Sequence, residues 1–173
     1  MFSEKESIIT INQGDRIYHP GHGIGIVKYI RKKSFFGERE AKFVKLYFKR
    51  NDLTWLVRAD NLPDNFRRPM CAKQARKTLE HLQSWQGKLS DKWKIRATAH
   101  QAVIDKGDPL GYAEVVKNLS VLKKQNALSA ADRKHLKMGI EFLSEELENA
   151  LGKSNERVLQ LIDKATSSKV GLA

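Results

Sequence analysis

Between residues 15 and 60 the apolar positions recur every second residue. Val44, Leu46 and Phe48 alternate with Lys45, Tyr47 and Lys49, and Leu53, Trp55 and Val57 alternate with Thr54, Leu56 and Arg58. Such alternation marks strands with one buried face. The stretches HPGHG at 19–23, FFGERE at 35–40 and KRND at 49–52 supply the glycine and short polar residues that turns require. Four or five short strands in this space predict a small antiparallel β-barrel or a strongly bent sheet.

After Pro63 the spacing becomes helical. Ala72, Ala75, Leu79 and Leu82 form one stripe. A second segment opens at Ser90 as N-cap, with Asp91 in its first turn, and closes at Gly107. Tyr112, Val115, Val116, Leu119 and Leu122 mark a third. SAAD at 129–132 resembles a capping box with Asp in place of Glu, and Leu136, Ile140, Leu143, Leu147 and Leu151 follow it. Val158, Leu161, Ile162 and Ala165 predict a short last helix, after which SSKVGLA is expected to fray. The fold class is therefore α+β in two domains, a β module over residues 1–65 and a helical module over 66–173. The junction lies near NLPDNFRRP, where Pro63 and Pro69 disfavour a continuous element.

Charge narrows the range of partners. The chain carries 32 Lys and Arg against 20 Asp and Glu, a net +12, with a mean hydropathy of −0.53. This excess favours polyanions such as nucleic acid. It is uneven, with net charges of +6, +8 and −2 over residues 1–70, 71–140 and 141–173, so the basic character peaks in the first helices. No apolar run approaches the ~20 residues that span a bilayer, and no membrane role is expected. MFSEKESIITINQGD lacks a basic region followed by an apolar stretch, so a cytoplasmic protein without a signal peptide is expected. Cys71 is the sole cysteine, so stability must come from packing and not from an internal disulfide.

Catalytic motifs are weak. GHGIG at 21–25 lacks the GxGxxG spacing and runs into a strand-like IVKYI, which leaves no helix N-terminus for phosphate and points to structural glycines in a turn. His19 and His22 sit three apart, but no nearby Cys or acidic pair completes a metal set, so they read as polar turn residues. Cys71 has no sequence-local base, and no carboxylate pair stands out. No catalytic residue, metal, cofactor or small-molecule substrate is expected.

The basic and aromatic stretch KLSDKWKIRATAHQ at 88–101 is the most informative feature. At 100° per residue, Ile95, Ala99 and Ala102 share one face, with Val103 at its edge, and Trp93 points some 160° from Ile95. Ala97 and Ile104 lie near Trp93, with Arg96 and His100 flanking them, so a second buried face is equally consistent with the spacing. Trp93 is thus either a core anchor or an exposed ring. In the exposed case it is an apolar wedge for a distorted base step, with Lys92, Lys94 and Arg96 neutralising phosphates. Trp55 suits either the sheet core or a partner-facing surface, and Trp85 reads as packing between helices.

Four stretches, GDRIYHPGHGIGIVKYI at 14–30, LTWLVRADN at 53–61, SDKWKIR at 90–96 and GDPLGYAEVVKNLSVLKKQNALSAADRKHL at 107–136, resemble the CarD/CdnL family of bacterial RNA polymerase-binding transcription regulators. The β module is similar to the polymerase-interacting domain of the transcription-repair coupling factor, without helicase motifs after it. The resemblance implies a Tudor-like or SH3-like β-barrel docking on the polymerase β subunit, partly by strand addition at a sheet edge. It also implies a helical domain that places a tryptophan in the minor groove at the upstream edge of the transcription bubble. Trp93 matches that tryptophan. Lys33 matches a basic polymerase-contacting position, and Leu56 stands where the family often has a second basic residue, which implies an apolar contact there. The expected partners are the polymerase β subunit and promoter DNA, with little sequence dependence. The competing expectation is a general architectural nucleic-acid binder, for which the charge alone suffices.

Overall fold

The computed structural model describes residues 9–168. The chain divides into two compact units, Met1–Arg68 and Pro69–Ala173. The division falls three residues beyond the expected one because Phe66 is buried with the strands and Arg67 pairs with Tyr18 through two backbone hydrogen bonds of 2.7 and 3.0 Å.

The first unit is an antiparallel meander of four strands in the order β1 (Arg16–His19), β2 (Gly23–Lys33), β3 (Ala41–Phe48) and β4 (Leu53–Arg58). Among the described residues β1 and β4 form the two edges with no ladder between them, so the bent sheet is open. Ile17, Val27, Val44, Leu46, Phe48 and Phe66 make its core. Each such side chain contributes about 1.5–3 kcal/mol by leaving water. Trp55 is half-buried against them, with the stacked rings of His19 and His22 at its edge, 5.2 and 4.7 Å away. Burial, then the neighbouring His22, holds His19 below the ordinary histidine value.

A bulge interrupts the β2–β3 ladder between Val27 and Tyr29. Val27 pairs with Leu46, Tyr29 with Lys45 and Ile30 with Val44, so the extra residue, Lys28, reverses the alternation. Val27 and Ile30 consequently share the core side, and Tyr29, Arg31 and Lys33 go to the outer face.

The second unit holds α1 (Ala72–Ser84), α2 (Trp93–Lys106), α3 (Pro109–Lys124), α4 (Ala130–Leu151) and α5 (Asn155–Ser167). α3 is the central helix, burying Tyr112, Ala113, Val115, Val116 and Leu119 against its neighbours. A Cβ on Gly111 would lie 2.7 Å from Val103 Cγ1, so glycine here sets how closely α2 and α3 approach. Lys117 is buried too. Its ammonium donates to the carbonyls of Gln83 at 3.1 Å, Ala165 at 3.3 Å and Thr166 at 3.5 Å, tying together the C-terminal ends of α1 and α5. Carbonyls in the last turn of a helix generally lack a helical donor and carry partial negative charge, which is why a buried cation suits the position. Trp85 packs between helices, its indole N–H donating to Asn118 Oδ1 at 3.1 Å. Of the segment expected to fray, residues 169–173 lie outside the described residues.

Candidate nucleic-acid and protein interfaces

The helix bearing Trp93 is buried on an unexpected side. Arg96, His100 and Ile104, spaced four apart, form its buried face, whereas Ile95 is 56% exposed and Ala99 and Ala102 are exposed. The Ile95–Ala99–Ala102 stripe therefore does not face the core. The alternative face through Ala97 and Ile104 does, because Arg96 on it finds a buried carboxylate partner in Asp132.

The helix also begins later than the sequence suggests. Its N-cap is Lys92, with no side-chain cap, and Ser90 Oγ instead accepts the Lys92 N–H at 3.3 Å. Arg96 stabilises this bare end. Its Nε donates to Asp132 Oδ1 at 3.0 Å, its Nη2 to Asp132 Oδ2 at 2.6 Å and its Nη1 to the Ser90 carbonyl at 2.7 Å. Asp132 is wholly buried and also closes the capping box of α4, accepting from the Ser129 N–H at 2.9 Å and Oγ at 2.8 Å. The Arg96 guanidinium, with those bonds, holds the Asp132 carboxyl far below the usual carboxylate range, and Asp132 raises Arg96 in turn. The expectation that Arg96 neutralises phosphate meets a different geometry, for its planar fork is spent on Asp132 and Ser90 inside the unit.

Trp93 is 50% exposed. By angle it lies on the same side as Arg96, His100 and Ile104. It escapes burial because it is the first helical residue, and side chains on a helix lean toward the N-terminus, past the last turn that can be covered. Lys92 and Lys94 are exposed beside it, neither in an ion pair with a described residue, and Lys94 Nζ sits 5.7 Å from the indole centroid. Rigid frame, apolar ring and two available cations thus meet at one helix end.

Beneath this end lies a pair of buried histidines. His100 and His135 have rings 6.3 Å apart, edge to face, and the Nδ1 of each is buried with no hydrogen-bond partner among the described residues. His135 Nε2 pairs with Gln101 Oε1 at 3.0 Å. Burial is the main cause lowering both below the ordinary value.

On the other unit, Lys33 and Leu56 occupy one surface. Leu56 pairs with Lys45, which pairs with Tyr29, and the next rows of the same outer face carry Arg31, Phe43 and Arg58, then Lys33. The Tyr29 ring is ringed by cations, with Arg31 at 4.5 Å, Lys45 at 5.4 Å and Lys33 at 5.8 Å from its centroid. Leu56 is 42% exposed among them. The sequence pattern missed Tyr29 and Lys45 because the bulge that turns Tyr29 outward leaves no compositional mark. It missed Asp132 because a capping residue carries no sign of a second partner 36 positions away.

Among the described residues no group of three His, Cys, Asp or Glu could hold a metal ion, and no helix is long and apolar enough to cross a membrane. Residues 77–163 match the family model of the CarD C-terminal domain. The chain is also 31% identical over 148 residues to YdeB of Bacillus subtilis (strain 168), a protein named as a transcription factor, across 84% of this chain and 95% of that one. With half of the chain inside the family model and nearly all of a relative aligned, this protein belongs to the CarD family of transcription regulators.

Proposed function

We propose that the protein is a non-catalytic adaptor that binds the RNA polymerase β subunit through its β unit and stabilises promoter open complexes through Trp93. The observation that carries this reading is the half-exposed Trp93 on a helix end fixed by the buried Arg96–Asp132 pair. An apolar wedge leaning on a partly unstacked base step gains contact only with distorted DNA, so it shifts the equilibrium toward the open state by its differential affinity. Lys92 and Lys94 neutralise neighbouring phosphates and carry no sequence information. Arg96 acts through Trp93 by holding the helix start. The outer sheet face with Lys33, Lys45 and Leu56, next to the β4 edge that is unpaired among the described residues, is the polymerase-docking surface, where cations and apolar groups are interleaved. In the cell this places the protein in the cytoplasm, at the nucleoid through polymerase.

The test is a promoter-melting assay with purified polymerase, with and without the full chain. Added protein is expected to lengthen open-complex lifetime, and no change would remove the reading. The second reading, a general basic nucleic-acid binder, draws on the net charge of +12. It is favoured if the full chain binds duplex DNA tightly and shows no affinity for the β subunit.

A further inference from the structure

We propose that the β2–β3 hairpin presents Phe36 as an apolar anchor for the protein surface that docks on the outer sheet face, which on the reading above is the polymerase β subunit. The tip of the hairpin runs Phe35, Phe36, Gly37, Glu38 and is closed by the Glu38 N–H donating to the Phe35 carbonyl at 3.0 Å. Phe36 and Gly37 have φ of +51° and +79°. Two successive positive values are the signature of a type I′ turn, whose first central position favours Asn, Asp or Gly. Gly37 suits its place. Phe36 does not, because a bulky side chain is disfavoured in the left-handed region.

The ring also returns no packing to the fold, for Phe36 is fully exposed. One position therefore carries both an unfavourable backbone conformation and an unburied aromatic, and strain of this kind concentrates where a chain meets a ligand or partner. The rest of the tip is braced. Phe35 packs edge-to-face on Phe43 at 5.1 Å, and Ser34 Oγ donates to the Glu38 carbonyl at 2.6 Å. Phe36 is thus held at the end of a short fixed arm.

The arm continues the outer face. Phe43 lies on that face beside Arg31, and Lys33 Nζ is 6.0 Å from the Phe35 ring. Preorganised aromatics at the edge of a basic surface suit an apolar pocket rimmed by acidic groups, where a rigid ring loses little entropy on binding.

The experiment compares full-length wild type, Phe36→Asn and Leu56→Glu for thermal stability and for binding to purified polymerase β subunit. Asn-Gly is the favoured type I′ pair, so Phe36→Asn is expected to keep or raise the Tm by a few degrees while weakening binding by about tenfold or more. Unchanged affinity in Phe36→Asn, with Leu56→Glu weakened, would overturn the anchor and leave the docking face standing. A lowered Tm would assign the ring to the fold and also overturn it. Wild type without affinity for the β subunit would remove the polymerase reading and the anchor with it. Phe36-dependent binding to phosphatidylglycerol vesicles, with polymerase affinity unaltered, would transfer the ring to a membrane surface and contradict the proposal.

Discussion

Arg96 and Asp132 meet as a buried bidentate pair, 3.0 and 2.6 Å between their atoms, linking the first turn of α2 to the capping box of α4. Asp132→Ala leaves a guanidinium buried without its carboxylate and opens the cap, so a loss of about 3–5 kcal/mol in urea unfolding is expected. Arg96→Lys keeps the charge but gives up the planar fork and is expected to lose a smaller part of this. Equal stability of Asp132→Ala and wild type would show that the pair holds nothing.

On the proposed function, Arg96 has a positioning role testable apart from stability. Arg96→Lys is expected to fold and to bind polymerase as wild type does, while shortening open-complex lifetime, because Trp93 is less firmly placed. If Arg96 instead contacts phosphate, Arg96→Gln should reduce the slope of log affinity against log salt, which the charge-conserving Arg96→Lys leaves unchanged. Lys94→Ala, by contrast, is expected to reduce the slope of log affinity against log salt by about one.

The histidine pair makes stability depend on pH. Burial lowers His100 and His135 in the folded state, so between the folded values and the ordinary value of 6.5 the unfolded chain binds more protons. Stability is therefore full above about pH 6.5 and declines as pH falls below it. Facing charges act in both directions, with Asp132 and Asp105 opposing Arg96 and Lys134. His19 adds a similar dependence in the β unit. A His100→Gln, His135→Gln double variant should flatten the decline of the helical unit, measured by urea unfolding across pH 5–7. An unaltered slope would refute the assignment.

Lys117 offers a third check on the helical unit. Lys117→Met fills similar space but strips three carbonyls of their donor, so a loss of about 2–3 kcal/mol is expected. Amide exchange should rise at the C-terminal turns of α1 and α5 before it rises elsewhere.

Much of this organisation was legible in the sequence. The switch from period 2 to helical period located both units, and SAAD gave the α4 cap, because these signals are local. Trp93 was visible as an anomaly, but its exposure was not. Its angular position alone places it on the buried side, and only its rank as first helical residue puts it in solvent. The Ile95 stripe misled because helical periodicity assumes that apolar residues choose the buried face, whereas here Arg96 wins that face by reaching Asp132. Lys33 and Leu56 could be named separately, but their common surface depended on the bulge at Lys28, which shifts register without any turn residue to announce it.

The most direct measurement is the lifetime of promoter open complexes formed by polymerase with wild-type protein or Trp93→Ala, after challenge with a competitor. Since the ring is half in solvent, Trp93→Ala should cost less than about 1 kcal/mol of stability and leave polymerase binding intact. A clearly shorter lifetime is expected with Trp93→Ala than with wild type. Equal lifetimes, with both proteins bound to polymerase, would contradict it.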